Sequence, residues 1–285
     1  MATPRDRAGR RFARQVLPAD ASPSHVARSG GLAESRTLYL NRDGILIVPG
    51  NNDAGNDVSS IVREPSLIYG WDVDDDTWDE TVACVTRMYA RFDVRVTDED
   101  PGDVPHIEAV FGGHPNDVGL PDDVAGVSPF REDCGTIESS IVFTFTDVLP
   151  DDPQVMCEVM SQEIAHSFGL DHEMLPSDPM TYLDYAHDRS FQDQMASCGE
   201  FGNRQCGING SVCRARQNSV ALLASRLGWR GDDAPPGDLT TTTGPEAGGC
   251  ATSGSGAPLG GMVGMVGMVV FGLVRRRPRR ASANA

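Results

Sequence analysis

The chain has 285 residues, 39% of them hydrophobic, which suits one domain of ordinary size with polar ends, or two small ones. A formal net charge of −17 excludes a nucleic-acid partner, because phosphate-binding faces are built from clustered Lys and Arg. The excess of carboxylates fits a soluble acidic exterior.

In chain order, residues 1–35 are rich in Arg, Ala and Ser and carry no apolar run of the length a secretory signal needs. They are predicted to be disordered. The folded part is predicted to begin at Arg36. Residues 37–48, TLYLNRDGILIV, hold two β-rich runs around Asp43-Gly44, which predicts a hairpin. The acidic run from Asp72 is not a calcium loop, since its sixth place is Thr77 and its twelfth Ala83. Thr77 and Glu80 instead read as a capping box for a helix whose inner face is Trp78, Val82, Val85, Met88, Tyr89 and Phe92.

Residues 93–98, 106–113 and 141–145 read as strands. His106 and His114 have no partner at metal-ligand spacing and read as ordinary strand-end histidines. Residues 155–168 have apolar positions at a helical period, leaving Gln162, Glu163 and His166 for a cleft. Residues 191–210 are loop-like and Cys-rich, and residues 219–229 form a closing amphipathic helix.

The most informative stretch is residues 162–173, QEIAHSFGLDHE. In a helix, positions four apart share a face, so Gln162 and His166 point the same way with Glu163 beside them. Gly169 allows a sharp exit from the helix, and His172 can return toward His166. This resembles the metzincin zinc peptidases, whose signature is HExxHxxGxxH followed by a methionine turn. Glu163, His166, Gly169 and His172 match that signature, and DPMTY at 178–182 resembles the turn; Gln162 stands where the family has its first histidine.

The resemblance covers residues 36–229 and implies an α+β domain: a twisted mixed sheet, a metal-site helix, the Met-turn and a C-terminal helix. It further implies that Gln162, His166 and His172 hold Zn²⁺, and that Glu163 is the general base. Tyr182 would stabilise the oxyanion, Met180 would lie beneath the metal, and Glu173 would anchor a neighbouring contact. An edge strand of the sheet would pair with an extended peptide substrate.

Cysteines 84, 134, 157, 198, 206 and 213 form an even set that predicts three disulfides of open connectivity in an oxidising compartment. From 231 to 258 the chain reads as a Pro/Thr/Gly/Ser linker. Residues 259–280 follow, with an apolar stretch at 259–274 ending in RRRPRR; sixteen helical residues span about 24 Å, short for a permanent membrane crossing. Gly249-Cys250, a short apolar helix and an arginine cluster resemble the surface-sorting tails of myxobacterial metallopeptidases. That resemblance implies a sorting protease acting near Cys250, processing or lipidation at that cysteine, and a mature form at the cell surface or outer membrane. A simple membrane anchor through 259–274 is the competing reading. The function expected is a surface zinc endopeptidase. The alternative is a catalytically impaired homologue that binds peptide or surface polymer, because of Gln162.

Overall fold

A computed structural model describes residues 36–231 and the backbone of residues 11–17. The linker, the apolar tail and Cys250 lie outside the described residues. The protein is a mixed α/β fold in which one six-stranded sheet separates two cores. The strands are β1 (Arg11–Leu17), β2 (Arg36–Asn41), β3 (Gly44–Pro49), β4 (Val58–Ser59), β5 (Ser66–Tyr69), β6 (Val94–Thr97), β7 (His106–Phe111), β8 (Val124–Arg131) and β9 (Ile141–Thr144); the helices are α1 (Asp75–Met88), α2 (Pro153–Ser167) and α3 (Ser219–Leu227). The main sheet runs β1-β8-β9-β7-β2-β6, and β4-β3-β5 forms a second, small sheet.

Strands β6, β2, β7 and β9 are mutually parallel, whereas β8 is antiparallel to β9. The alternation along the central strands builds the two cores. Ile107, Ala109 and Phe111 of β7 and Val142 of β9 face a core shared with all three helices. Val110, Ile141 and Phe143 face Ile45, Ile47 and Ile68 of the small sheet. Among the described residues no helix is long and apolar enough to cross a membrane.

Three local expectations are corrected. Residues 37–48 do not form a hairpin: β2 pairs with β6 and β7, while β3 pairs with β4 and β5. The Asn41 side chain accepts from Asp43 N at 2.8 Å and donates to Gly44 O at 3.3 Å, so the Asp-Gly signal marks a turn from one sheet into the other. Leu38 and Leu40 are buried together with Thr37 and Asn41, and a strand covered on both faces takes parallel neighbours more readily than a hairpin partner. Helix α1 starts two residues before its expected cap. Asp74 accepts from Thr77 N at 2.9 Å and from Thr77 Oγ1 at 2.9 Å, because a carboxylate outcompetes a hydroxyl as acceptor at the positive helix end. Arg11–Leu17, expected to be disordered, forms β1, parallel to β8 along the sheet's outer edge; backbone pairing of this kind needs little from composition.

The three expected disulfides are present: Cys84–Cys157, Cys134–Cys213 and Cys198–Cys206. The first joins α1 to α2, which Tyr89 also does by donating from its hydroxyl to Ser161 O at 2.9 Å. His106 is held by its own strand entry through Nδ1 and Val104 O, 2.7 Å apart. His114 caps a short 3₁₀ turn, accepting from Asn116 N at 3.3 Å. Both are structural, as expected.

Glu108 on β7 is buried and accepts from Asn41 Nδ2 at 2.7 Å. Burial raises its pKa to about 7 against the lowering effect of Asn41, with Asp57 and Asp100 adding to the rise. A carboxyl whose folded pKa lies above its unfolded value of 4.5 gives full stability below that value and loses it as pH rises through the folded pKa. Glu108→Gln keeps an acceptor for Asn41 and removes the titration. Its unfolding free energy should match wild type at pH 4 and exceed it by about 3 kcal/mol at pH 8, measured by urea denaturation.

Candidate active site

Helix α2 enters the core after Asp152, whose side chain accepts from Gln154 N and Val155 N, and Pro153 occupies the first turn, where its missing N–H is harmless. Its far end carries the site. The helix stops at Ser167, and Gly169 follows with φ +82°. A Cβ there would lie 2.1 Å from the Cys134 carbonyl oxygen, so both the backbone angle and the space require glycine. The Cys134–Cys213 disulfide ties down the segment on which that carbonyl lies.

The reversal at Gly169 brings His166 and His172 together, with Nε2 to Nε2 at 3.0 Å. His166 Nδ1 faces Leu170 O at 2.7 Å, and His172 Nδ1 faces Glu200 Oε1 at 3.2 Å. A carbonyl and a carboxylate can only accept, so each Nδ1 donates and each neutral ring carries its lone pair on Nε2. Two lone pairs facing at this distance are stabilised by a cation, or by a proton on one ring. Two imidazoles on one tetrahedral zinc, each about 2.0–2.1 Å from it, stand roughly 3.3 Å apart.

Gln162, one turn before His166, donates from Nε2 to Pro179 O at 2.7 Å. Its Oε1 is buried with no hydrogen-bond partner, an uncompensated acceptor of the kind that a cation satisfies. Two imidazole nitrogens facing each other at 3.0 Å fit a divalent metal and favour zinc over calcium or magnesium, and the amide oxygen of Gln162, one helical turn away, is a further buried acceptor.

Residues 178–182, which resemble a Met-turn in sequence, adjoin the histidines. Asp178 accepts from Met180 N at 2.9 Å and from Gln192 N at 2.7 Å, and Met180 O accepts from Glu173 N at 2.8 Å. Met180 is fully buried in the helical core. The Tyr182 ring lies 4.2 Å from that of His172, centroid to centroid. Glu173 is buried beside Asp178. Burial and the neighbouring Asp178 carboxylate push its pKa well above the usual range, so Glu173 is the protonated member of this pair.

Gln162, Glu163 and His166, expected to border a cleft, are together with His172 only 0–2% exposed. Part of the cover is a strand not expected from the sequence. Strand β8 packs along α2, with the Phe130 ring edge-on to His166 at 5.7 Å and the Ser128 hydroxyl 3.1 Å from that of Ser167. At its start β8 carries an extra residue relative to β1: Arg11 pairs with Val124, but Ala13 pairs with Val127. Within that bulge, a Cβ on Gly126 would meet Glu163 Oε1 at 2.8 Å and Phe143 O at 2.8 Å. Gly126 is therefore the space in which the Glu163 carboxylate lies. Bulges commonly occur where a strand meets a functional site.

Also absent from the expected set are Asp171, Glu200 and Arg204. The ligand atoms of Asp171, His172 and Glu200 lie within 4.8 Å of one another, but a cation already serves the two carboxylates. Arg204 contacts Asp171 at 2.5 and 2.9 Å and Glu200 Oε1 at 2.6 Å. Burial alone would raise the Glu200 pKa, yet His172 and Arg204 hold it well below the usual carboxylate range. The sequence signal for Glu200 and Arg204 is the short spacing from Cys198 to Cys206, which they fall between, whereas Asp171 lies inside the 162–173 stretch.

The sequence matches no protein-family model and no curated protein. Gly126→Ala should cost about 1–3 kcal/mol of stability through overpacking, read by thermal or urea unfolding. Gly202→Ala, where an added Cβ meets nothing within 4 Å, should leave stability within error of wild type.

Proposed function

We propose that this chain is a metzincin-type zinc endopeptidase acting at the cell surface, with Gln162, His166 and His172 as the metal-holding residues and Glu163 as general base. The observation that carries the reading is the convergence of two Nε2 atoms 3.0 Å apart, both with Nδ1 committed elsewhere. The buried, unsatisfied Gln162 Oε1 supports it. Zinc held there would supply a water with its pKa lowered to about 7 and a Lewis acid for the scissile carbonyl. Glu163 would accept a proton at its carboxylate from the attacking water and pass it to the leaving amine nitrogen. The Tyr182 hydroxyl donates to the developing oxyanion. Three disulfides support an exported protein. Processing near Cys250, with a lipid there as the membrane attachment, completes the reading and rests on the tail's resemblance alone; an anchor through residues 259–274 is its alternative.

Burial of the whole group favours a second reading, a protein that binds extended peptide or polymer without cleaving it. Zinc content and activity separate the two. Wild type purified without chelator should carry one zinc per chain. Gln162→His should tighten zinc by at least roughly 10-fold, by analogy with the 10–100-fold lost with outer partners, and raise peptide hydrolysis. Glu163→Gln in that background should abolish hydrolysis while keeping zinc. Tight zinc without hydrolysis in Gln162→His would favour the binding protein; unchanged zinc affinity would remove residue 162 from the site.

Strand β8 is the edge along which an extended substrate would lie in this reading. Residues 128–131 of β8 pair with β1 and with no other strand among the described residues, so a substrate must displace Arg11–Leu17. Proline has no N–H for a ladder and weakens such pairing. Arg14→Pro and Gln15→Pro change adjacent ladder positions, one of which faces β8 with its N–H. One of the two should raise the rate of peptide hydrolysis. A fall in melting temperature with no gain in rate from either would make β1 a fixed part of the sheet.

A further inference from the structure

We infer that the disulfide-closed loop 198–206 is the positioning element of His172: Glu200 fixes the tautomer and direction of its ring, and Arg204 holds Glu200 in place. The inference rests on the metal-site reading above, but it concerns how one ligand is aimed. The two histidines are held by different means. His166 lies in the last turn of α2, and its Nδ1 donates to a backbone carbonyl four residues on, Leu170 O. Helix and turn together leave that ring little choice. His172 follows the reversal and belongs to no helix. Its ring packs against that of Tyr182, centroids 4.2 Å apart, a contact that does not itself select which nitrogen carries the proton.

Loop 198–206 supplies what the backbone lacks. Gly199 N donates to His172 O at 3.0 Å, and Glu173 and Cys198 form an isolated antiparallel bridge. These contacts lay the start of the loop against the backbone of residues 172 and 173. Glu200 then reaches His172 Nδ1 at 3.2 Å. An ionised carboxylate accepts only, so the ring must donate from Nδ1 and keep its lone pair on Nε2, toward His166.

Glu200 is not fixed by burial, since its side chain remains 21% exposed. Arg204 fixes it. Nη2 lies 2.6 Å from Glu200 Oε1 and Nε lies 3.3 Å from Oε2. Nη1 and Nη2 also span both oxygens of fully buried Asp171, the residue immediately before His172. Further donation from Nη1 to Gln205 O and Gly207 O and from Arg204 N to Cys198 O ties the guanidinium to the loop itself. A single planar fork thus spans the residue that aims the imidazole and the residue that precedes it, a geometry Lys cannot reproduce. The Cys198–Cys206 bond closes the loop across eight positions, so neither Glu200 nor Arg204 needs a long ordered segment to hold it.

The test uses full-length protein with ¹⁵N-labelled histidine, metal-free at pH 8, where long-range ¹H–¹⁵N spectra report the tautomer of each ring. Wild type should show Nδ1–H for both His166 and His172. Glu200→Ala, Glu200→Gln and Arg204→Met should turn His172 into a mixture of tautomers and leave His166 unchanged. Arg204→Lys should fall between wild type and Arg204→Met. Cys198→Ser combined with Cys206→Ser should behave like Arg204→Met. Zinc affinity, measured by competition with a chromophoric chelator, should fall about 10–100-fold in the Glu200 and Arg204 variants. A His172 tautomer unchanged in both Glu200 variants would overturn the inference. So would a bound cation that Glu200→Ala loses and His166→Ala retains, since the acidic grouping would then be the cation site itself. Wild type that binds no zinc but gives the expected tautomer changes would remove the metal-site reading and leave the positioning role intact.

Discussion

Everything at the site depends on one reversal of the chain at Gly169. The helix ends with Gly169 N donating to His166 O and Leu170 N donating to Ala165 O, so the turn satisfies carbonyls that a helix end otherwise leaves open. The same turn presents Leu170 O to His166 Nδ1. The residue that changes direction therefore also fixes the tautomer of the histidine before it, and places His172 opposite. Arg214 donates to Gly169 O at 3.0 Å, and the Cys134 carbonyl occupies the space a side chain would need. Backbone, disulfide and arginine hold one conformation from three directions.

Burying so many polar groups in one place is costly unless each has a specific partner. Asp171 has Arg204, the backbone N–H groups of His172 and Gly207, and a second layer in Gln217, which donates to its carbonyl and accepts from its N–H. Glu173 avoids the cost by remaining protonated beside Asp178, whose own oxygens take two backbone N–H groups. Glu163 lies against the one position in β8 without a side chain. Polar groups arranged in this way hold a single geometry, since moving any one leaves another unsatisfied.

The parts of the fold legible in the sequence are those fixed by local chemistry. The helical period of residues 155–168 and the Gly169 exit follow from side chains near one another in the chain, and α2 and its turn lie where that pattern puts them. Strand β8 was not legible because VAGVSPFR holds Gly126, Ser128 and Pro129, residues that argue against a strand. The glycine is there for Glu163, and the proline is tolerated where β8 has left β9. The hairpin expected around Asp43-Gly44 failed for a different reason: the turn chemistry was right, but which strand each arm joins is a tertiary choice. Two of the three disulfide pairings and the Arg204 fork join residues 73, 79 or 33 positions apart, beyond the reach of any local pattern.

Gln162 departs from the signature in residue type more than in hydrogen-bonding pattern. His166 divides its two polar atoms between a donor facing a carbonyl and an acceptor facing inward. Gln162 makes a similar division, since Nε2 donates to Pro179 O and the buried Oε1 remains an acceptor. Only an NH₂ group can face a carbonyl at 2.7 Å, so the chemistry of the Met-turn decides which end of the amide is turned away. The 178–182 turn thus selects the oxygen of residue 162 as the atom left unpaired. Glutamine meets the demand of the Pro179 carbonyl, which asks only for a donor, and leaves the helix, the reversal at Gly169 and the turn in place.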